Sequence, residues 1–135
     1  TGALGAGCFR DGIACRVEDG EKIDGIEVLA SRSEVLRGEW DRFEENGFTV
    51  VPTGSVAYKL ALVAAGSAGA TLTLIPKSEL DVAAGVALVH AAGGRAMLPD
   101  GSAPIFNREN VILPGLIASG KQRMNAIQAC LSGTR

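Results

Sequence analysis

From residue 27 to residue 131, short runs of β-favouring residues alternate with helix-length segments, and no other feature constrains the fold as much. Residues 27–30, 48–51, 71–75 and 95–98 read as strands, each closed by Ser, Pro, Thr or Gly-containing turns. Between them lie helical segments at 34–43, 56–65 and 78–92, and an amphipathic helix at 121–131 follows two short apolar runs, 111–113 and 116–118. An earlier strand is expected at 13–17, followed by a Glu18-Asp19-Gly20 turn. Strands that alternate with helices pack as an α/β layer structure. The expectation is one domain over residues 1–135, with about five strands in a mixed or mostly parallel sheet. The Ala- and Gly-rich helices 56–65 and 80–92 should lie close on its faces.

Composition removes several function classes. The net charge is −2 and no basic run occurs, which argues against a nucleic-acid polymer as partner. A small phosphorylated ligand needs only a local cation and backbone N–H groups, so it stays open. The stretch 60–75 is the most apolar, but Gly, Ser and Thr dilute it, and it falls short of the ~20 residues of a membrane helix. Cys8, Cys15 and Cys130 are odd in number and fit no zinc spacing or disulfide framework, so free thiols in a cytoplasmic protein are expected. The only histidine, His90, sits within an apolar helix with no Ser or Cys partner in pattern, which disfavours a Ser-His or Cys-His nucleophile. No Gly-x-x-x-x-Gly-Lys or Gly-x-Gly-x-x-Gly joins a strand to a helix. The chain opens in mid-pattern at Thr1-Gly2-Ala3-Leu4-Gly5 without a Met, the expectation for a fragment or a processed product.

Three places can carry chemistry, and each has a purely structural alternative. Asp81 lies in the first turn of helix 78–92, where Ser78-x-x-Asp81 approximates a capping box. Capping is the reading that spacing favours; the other is an oxygen ligand for a hard cation, although one carboxylate does not make such a site. Gly54-Ser55-Val56 precedes helix 56–65. There Ser55 either caps the helix or helps expose N–H groups to a phosphate, with Lys59 one turn further on. Ser31-Arg32-Ser33-Glu34 follows an apolar strand. It is either the capping box of the next helix or part of a ligand site at a strand's carboxyl end.

These segments, in this order, resemble a known family. Asp81-Val82-Ala83-Ala84-Gly85 followed by Ala91-Ala92-Gly93-Gly94 resembles the Trp-Asp-x-Ala-Ala-Gly and Ala-Gly-Gly signature of the inositol monophosphatase and bisphosphate nucleotidase family. The run from Gly54 through Val63-Ala64-Ala65-Gly66 resembles that family's Gly-Ser helix, and Ser31-Arg32-Ser33 resembles its nucleotidase branch. Gly115-Leu116-Ile117-Ala118-Ser119-Gly120 fits the end of the pattern. The resemblance implies a phosphate monoesterase that uses Mg²⁺ to activate water and stabilise the leaving oxygen. It implies Asp81 as a Mg²⁺ ligand, and Gly54, Ser55 and Val56 facing the substrate phosphate or its neighbouring hydroxyls. Lys59 would assist in the nucleotidase branch, and Ser31 and Ser33 would lie near the outer part of the substrate.

The sequence departs from the pattern at Leu80, where the family has Trp, and at Gly69, where Asp is common. Leu74 stands near a position that is acidic in inositol-specific members. The family's Asp-Pro-Ile-Asp-Gly-Thr motif and upstream metal-binding Glu are absent; Ile23-Asp24-Gly25 echoes the motif only as a turn. Two readings follow. One is the C-terminal, substrate-facing half of a phosphatase whose N-terminal metal-binding half is absent, inactive alone and acting on a bisphosphate nucleotide or a sugar or inositol phosphate. The other is a non-catalytic module that keeps the fold for binding or self-association. A half-enzyme should expose an apolar face and associate as a homo-oligomer or with its missing half.

Overall fold

A computed structural model of the protein describes residues 1–133. The chain opens with β1 (Gly2–Ala3), β2 (Gly7–Arg10) and β3 (Ile13–Cys15), which form a small antiparallel sheet of their own. Next come β4 (Glu27–Ala30), α1 (Arg32–Leu36), α2 (Asp41–Glu45), β5 (Thr49–Pro52), α3 (Val56–Ala64) and β6 (Ala70–Thr73). The remainder is β7 (Lys77–Ser78), α4 (Glu79–Ala91), β8 (Arg95–Met97), β9 (Ile112–Leu113), β10 (Leu116–Ser119) and α5 (Lys121–Ser132). The main sheet has five strands in the order β5-β4-β6-β10-β8. β4 runs parallel to β5 and β6, while β10 is antiparallel to both β6 and β8. The sheet is therefore mixed, with one strand reversed among four that point the same way. The expected α/β class and strand number both hold.

Period-two alternation along the central strands divides the core. Leu29, Leu116 and Ala118 face one side with Leu60, Val63, Val82 and Val86 from α3 and α4. Val28, Ala30, Leu72 and Ile117 face the other, with Trp40, Phe43, Phe48 and Met124. The small sheet covers the C-terminal part of α4, where a Cβ on Gly2 would stand 3.0 Å from Leu88 and 3.4 Å from Ala91. The closest approach made by the Ala- and Gly-rich helices is to each other. A Cβ on Gly85 would meet the Leu60 side chain at 2.6 Å, so the final glycine of Asp81-Val82-Ala83-Ala84-Gly85 is a helix-packing requirement.

Two local expectations change. The single helix over 34–43 is two short helices, because Gly38 adopts φ 73° between them. That break turns Trp40 inward to stack on Phe43, with ring centroids 4.9 Å apart. The strand at 13–17 ends at Cys15 and belongs to the small sheet. Glu18-Asp19-Gly20 is more than a turn. α5 begins at Gly120, which has no side chain to cap it, and the Asp19 carboxylate accepts the Gln122 N–H at 3.1 Å and the Arg123 N–H at 3.3 Å instead. Burial raises the Asp19 pKa, but the N–H groups of Gly20, Arg123 and Gln122 outweigh it and hold the carboxyl below its usual 3.8.

Asp19→Ala should therefore cost about 1 kcal/mol, as for a lost N-cap. Because the folded-state pKa is depressed, the contribution is complete above 3.8 and disappears as pH falls through the lowered value. Urea unfolding of both proteins at neutral pH and at successively lower pH checks this: the difference between them should shrink in acid.

Candidate functional site

The parallel strands β4, β5 and β6 end on one edge of the sheet, and short connections start the following helices there. That edge gathers Ser31–Glu34 after β4, Thr53–Lys59 after β5 and Leu74–Asp81 after β6. In open α/β sheets this is where ligands bind. α3 follows the parallel strand β5 directly, and α4 follows β6 by way of the two-residue β7, so both helices begin near this edge with their N-terminal N–H groups and positive dipole ends towards it.

Ser55 caps α3: its hydroxyl accepts the Tyr58 N–H at 3.3 Å. To do so it takes φ 58°, a left-handed conformation uncommon for a residue with a side chain. Gly54 beside it is exposed, and a Cβ placed there would meet nothing within 4 Å. Packing does not require a glycine at 54, so the space above the first turn of α3 is open to a ligand.

Lys59 and Glu34 lie below that turn. Glu34 is fully buried, accepting from Trp40 Nε1 at 3.2 Å and from Thr73 Oγ1 at 2.9 Å. The Ser31-x-x-Glu34 box does not form: Ser31 makes no side-chain cap, and its hydroxyl instead lies 3.2 Å from that of Ser33. Glu34 turns inward because Trp40 and Thr73 offer buried donors there. Lys59 is only 3% exposed. Burial pushes its pKa below 10.5, the Glu34 charge draws it back up, and the Lys77 charge presses it further down.

This shift fixes a sign. A lysine with a depressed folded-state pKa is protonated in the unfolded chain at pH values where the folded chain has released the proton. Stability then rises as pH climbs through the folded value towards 10.5. Lys59→Met should lack that gain, so the difference in denaturation midpoint between the variant and the natural sequence should change across the alkaline range. Parallel midpoints there would place the lysine in water-like surroundings.

At the start of α4, Ser78 alone is the cap, its hydroxyl accepting the Leu80 N–H at 3.4 Å. The capping-box alternative for Asp81 is not formed: the Asp81 side chain is exposed and makes no hydrogen bond or ion pair. Two residues earlier, Glu79 is 8% exposed; Oε2 accepts the Asn107 N–H at 2.8 Å and Oε1 has no partner. Nothing in the sequence marked Glu79, and Glu34 stood out only as a capping-box acid, since both look like solvated first-turn acids. A hint existed for Glu34 in the aromatic residue six positions on. Leu80 is 93% exposed and Leu74 is partly buried. His90 is exposed on α4. Among the described residues no group of three or more His, Cys, Asp or Glu is placed to hold a metal ion. Asp81 offers one free carboxylate, which does not by itself fit the anchoring of Mg²⁺.

Known proteins share this fold. Residues 1–131 match the family model described as the inositol monophosphatase family. No curated protein matches the chain. Among solved structures, inositol monophosphatase from Anabaena (Nostoc) sp. PCC 7120 is 22% identical with a TM-score of 0.80, over 98% of this chain and 53% of that one. Staphylococcal IMPase-II is 17% identical with a TM-score of 0.81, over 97% and 51%. The extragenic suppressor protein SuhB of Bartonella henselae is 23% identical with a TM-score of 0.74, over 94% and 49%. The chain thus spans about half the length of the solved structures it matches. With the family model covering nearly all of its length, the chain belongs to the inositol monophosphatase family.

Proposed function

We propose that this chain is the C-terminal, substrate-facing half of a Mg²⁺-dependent phosphate monoesterase acting on a small phosphorylated metabolite. The observation that carries the reading is the shared edge: the starts of α3 and α4, the open space at Gly54, the Lys59 ammonium and the free Asp81 carboxylate all belong to it. Gly54, Ser55 and Val56 receive the phosphate at the start of α3, where unpaired N–H groups favour an anion. Lys59 adds positive charge from beneath, and Ser31 and Ser33 border the outer part of the substrate. Asp81 supplies one cation ligand. The described residues do not complete a Mg²⁺ site, so its other carboxylates come from a segment outside this sequence, and residues 1–135 alone are inactive.

Staphylococcus aureus IMPase-II has been solved with inositol monophosphate and with 2′-AMP. Both a nucleotide and a cyclitol ester are therefore reasonable substrates to test, and Lys59 with Ser31-Arg32-Ser33 favours the nucleotide. No helix among the described residues is long and apolar enough to cross a membrane, and a cytoplasmic location is part of this proposal. So is association with a second copy or with the missing half: Leu36, Tyr58, Leu80 and Ile105 are more than half exposed, at 88%, 58%, 93% and 61%.

The test is phosphate release from a nucleoside bisphosphate, 2′-AMP and inositol monophosphate with Mg²⁺ present. Residues 1–135 alone should release essentially none. The same residues joined to an N-terminal half that carries the missing carboxylates should turn over at least one of the three. Robust turnover by the isolated chain would overturn the half-site reading, and an inactive joined protein would favour a binding module.

A further inference from the structure

Two of the three cysteines face one another across the hairpin of the small sheet. β2 and β3 are joined by Asp11-Gly12, whose φ values of 51° and 78° suit a type I′ hairpin turn. The resulting register sets Cys8 directly opposite Cys15. Phe9 donates its N–H to Thr1 O at 2.7 Å across the other flank of β2. Its neighbour Cys8 therefore turns its backbone groups towards β3, making Cys8 and Cys15 a hydrogen-bonded pair. Cα atoms in such a pair stand about 5.5 Å apart, within the span of a disulfide.

Opposed residues project from the same face of a sheet, so the two side chains are neighbours. Burial, with Cys15 beside it, pushes the Cys8 pKa up, which favours Cys15 over Cys8 for the first attack. Cys8 is 5% exposed, whereas Cys15 is only partly buried. Both line an open cleft of about 310 Å³ between the hairpin and α3, with Phe9, Arg10 and Tyr58 on its walls. Cys130 belongs to the other core cluster, across the five-stranded sheet.

We propose that Cys8 and Cys15 form a dithiol modification site that reacts with low-molecular-weight disulfides and closes reversibly to a cross-strand disulfide. The more accessible Cys15 thiolate attacks one sulfur of the reagent, forms a mixed disulfide and expels the first reagent thiolate. Cys8 then attacks the Cys15 sulfur and expels the second. Two protein S–H groups are oxidised, one reagent S–S bond is reduced, and the two protons end on the two released thiols. The Arg10 guanidinium on the cleft wall suits a reagent that carries carboxylates. A bridge at a hydrogen-bonded pair, next to an open cleft, belongs to the reducible class.

The experiment incubates the folded protein with excess oxidised glutathione, then denatures, alkylates and maps it by mass spectrometry. The expected product has lost two hydrogens, carries one alkyl group on Cys130, yields a linked Cys8–Cys15 peptide and reverts with dithiothreitol. Cys8→Ser should stop at a stable glutathione adduct on Cys15, and Cys15→Ser should gain no adduct while folded. The map of the natural sequence decides the matter even if a variant fails to fold. Three free thiols after incubation, a persistent adduct on Cys15 in the natural sequence, or bridges to Cys130 or between chains would each overturn the proposal.

Discussion

Glu34→Ala should lower the stability of the protein by about 3 kcal/mol, the scale of breaking a buried charge and hydrogen-bond network by removing one partner. Glu34 is fully buried and accepts from both Trp40 and Thr73, so alanine leaves two buried donors without an acceptor. It also removes the charge that offsets the burial of Lys59. Because Trp40, Thr73 and Lys59 belong to three different elements or their junctions, the loss loosens α1, the end of β6 and the start of α3 together. For a chain of this size the thermal midpoint should fall by roughly 10 °C. Glu34→Gln, which keeps an acceptor, should lose less. In the double variant with Lys59→Met, part of the loss should return, because the uncompensated ammonium is gone. Strict additivity of the two changes would show that Lys59 does not sense Glu34.

The elements that were legible in the sequence are those whose reasons are local. β4, β6, α3 and α4 are apolar runs of strand or helix length bounded by turn residues, and Ser55 and Ser78 mark helix starts whose caps are formed within three residues. The hairpin β2–β3 had a signal in Asp11-Gly12, but its strands are short, and the alternation is too brief to stand out. β7 and β9 are two residues each, below the length at which any pattern can be read. The capping of α5 by Asp19 joins residues 103 apart in sequence and has no local trace.

The candidate site divides in the same way. Order and motif marked Gly54, Ser55, Lys59 and Asp81, because a helix start after a strand is visible in one dimension. The roles of Glu34 and Glu79 were not visible, since burial of an acid depends on donors that folding brings from elsewhere. Asn107 N–H reaches Glu79 across 28 residues and Thr73 reaches Glu34 across 39. The exposed Leu80 and the single free carboxylate at 81 both follow from departures or gaps already evident in the sequence.

Asp81→Asn should reduce phosphate release by about a hundredfold or more when the chain is joined to its missing half, and it should scarcely change folding. The expectation rests on the proposed phosphatase reading and on the chemistry of hard cations, which bind anionic oxygen far better than a neutral amide. A metal-held phosphoryl group draws several kcal/mol of charge stabilisation from its site, and about 2.7 kcal/mol corresponds to a hundredfold in rate. Folding should respond weakly because Asp81 is exposed, makes no hydrogen bond and leaves the capping of α4 to Ser78. Only its favourable placement at the helix dipole is lost, about 0.5 kcal/mol. The measurements are turnover against Mg²⁺ concentration and urea unfolding of both proteins. Raising Mg²⁺ should restore part of the lost rate in the variant, since a weakened ligand set can still be filled by mass action. A variant that stays fully active but loses stability would return Asp81 to the electrostatics of the helix start, and the cation would then have to be held entirely by residues outside this sequence.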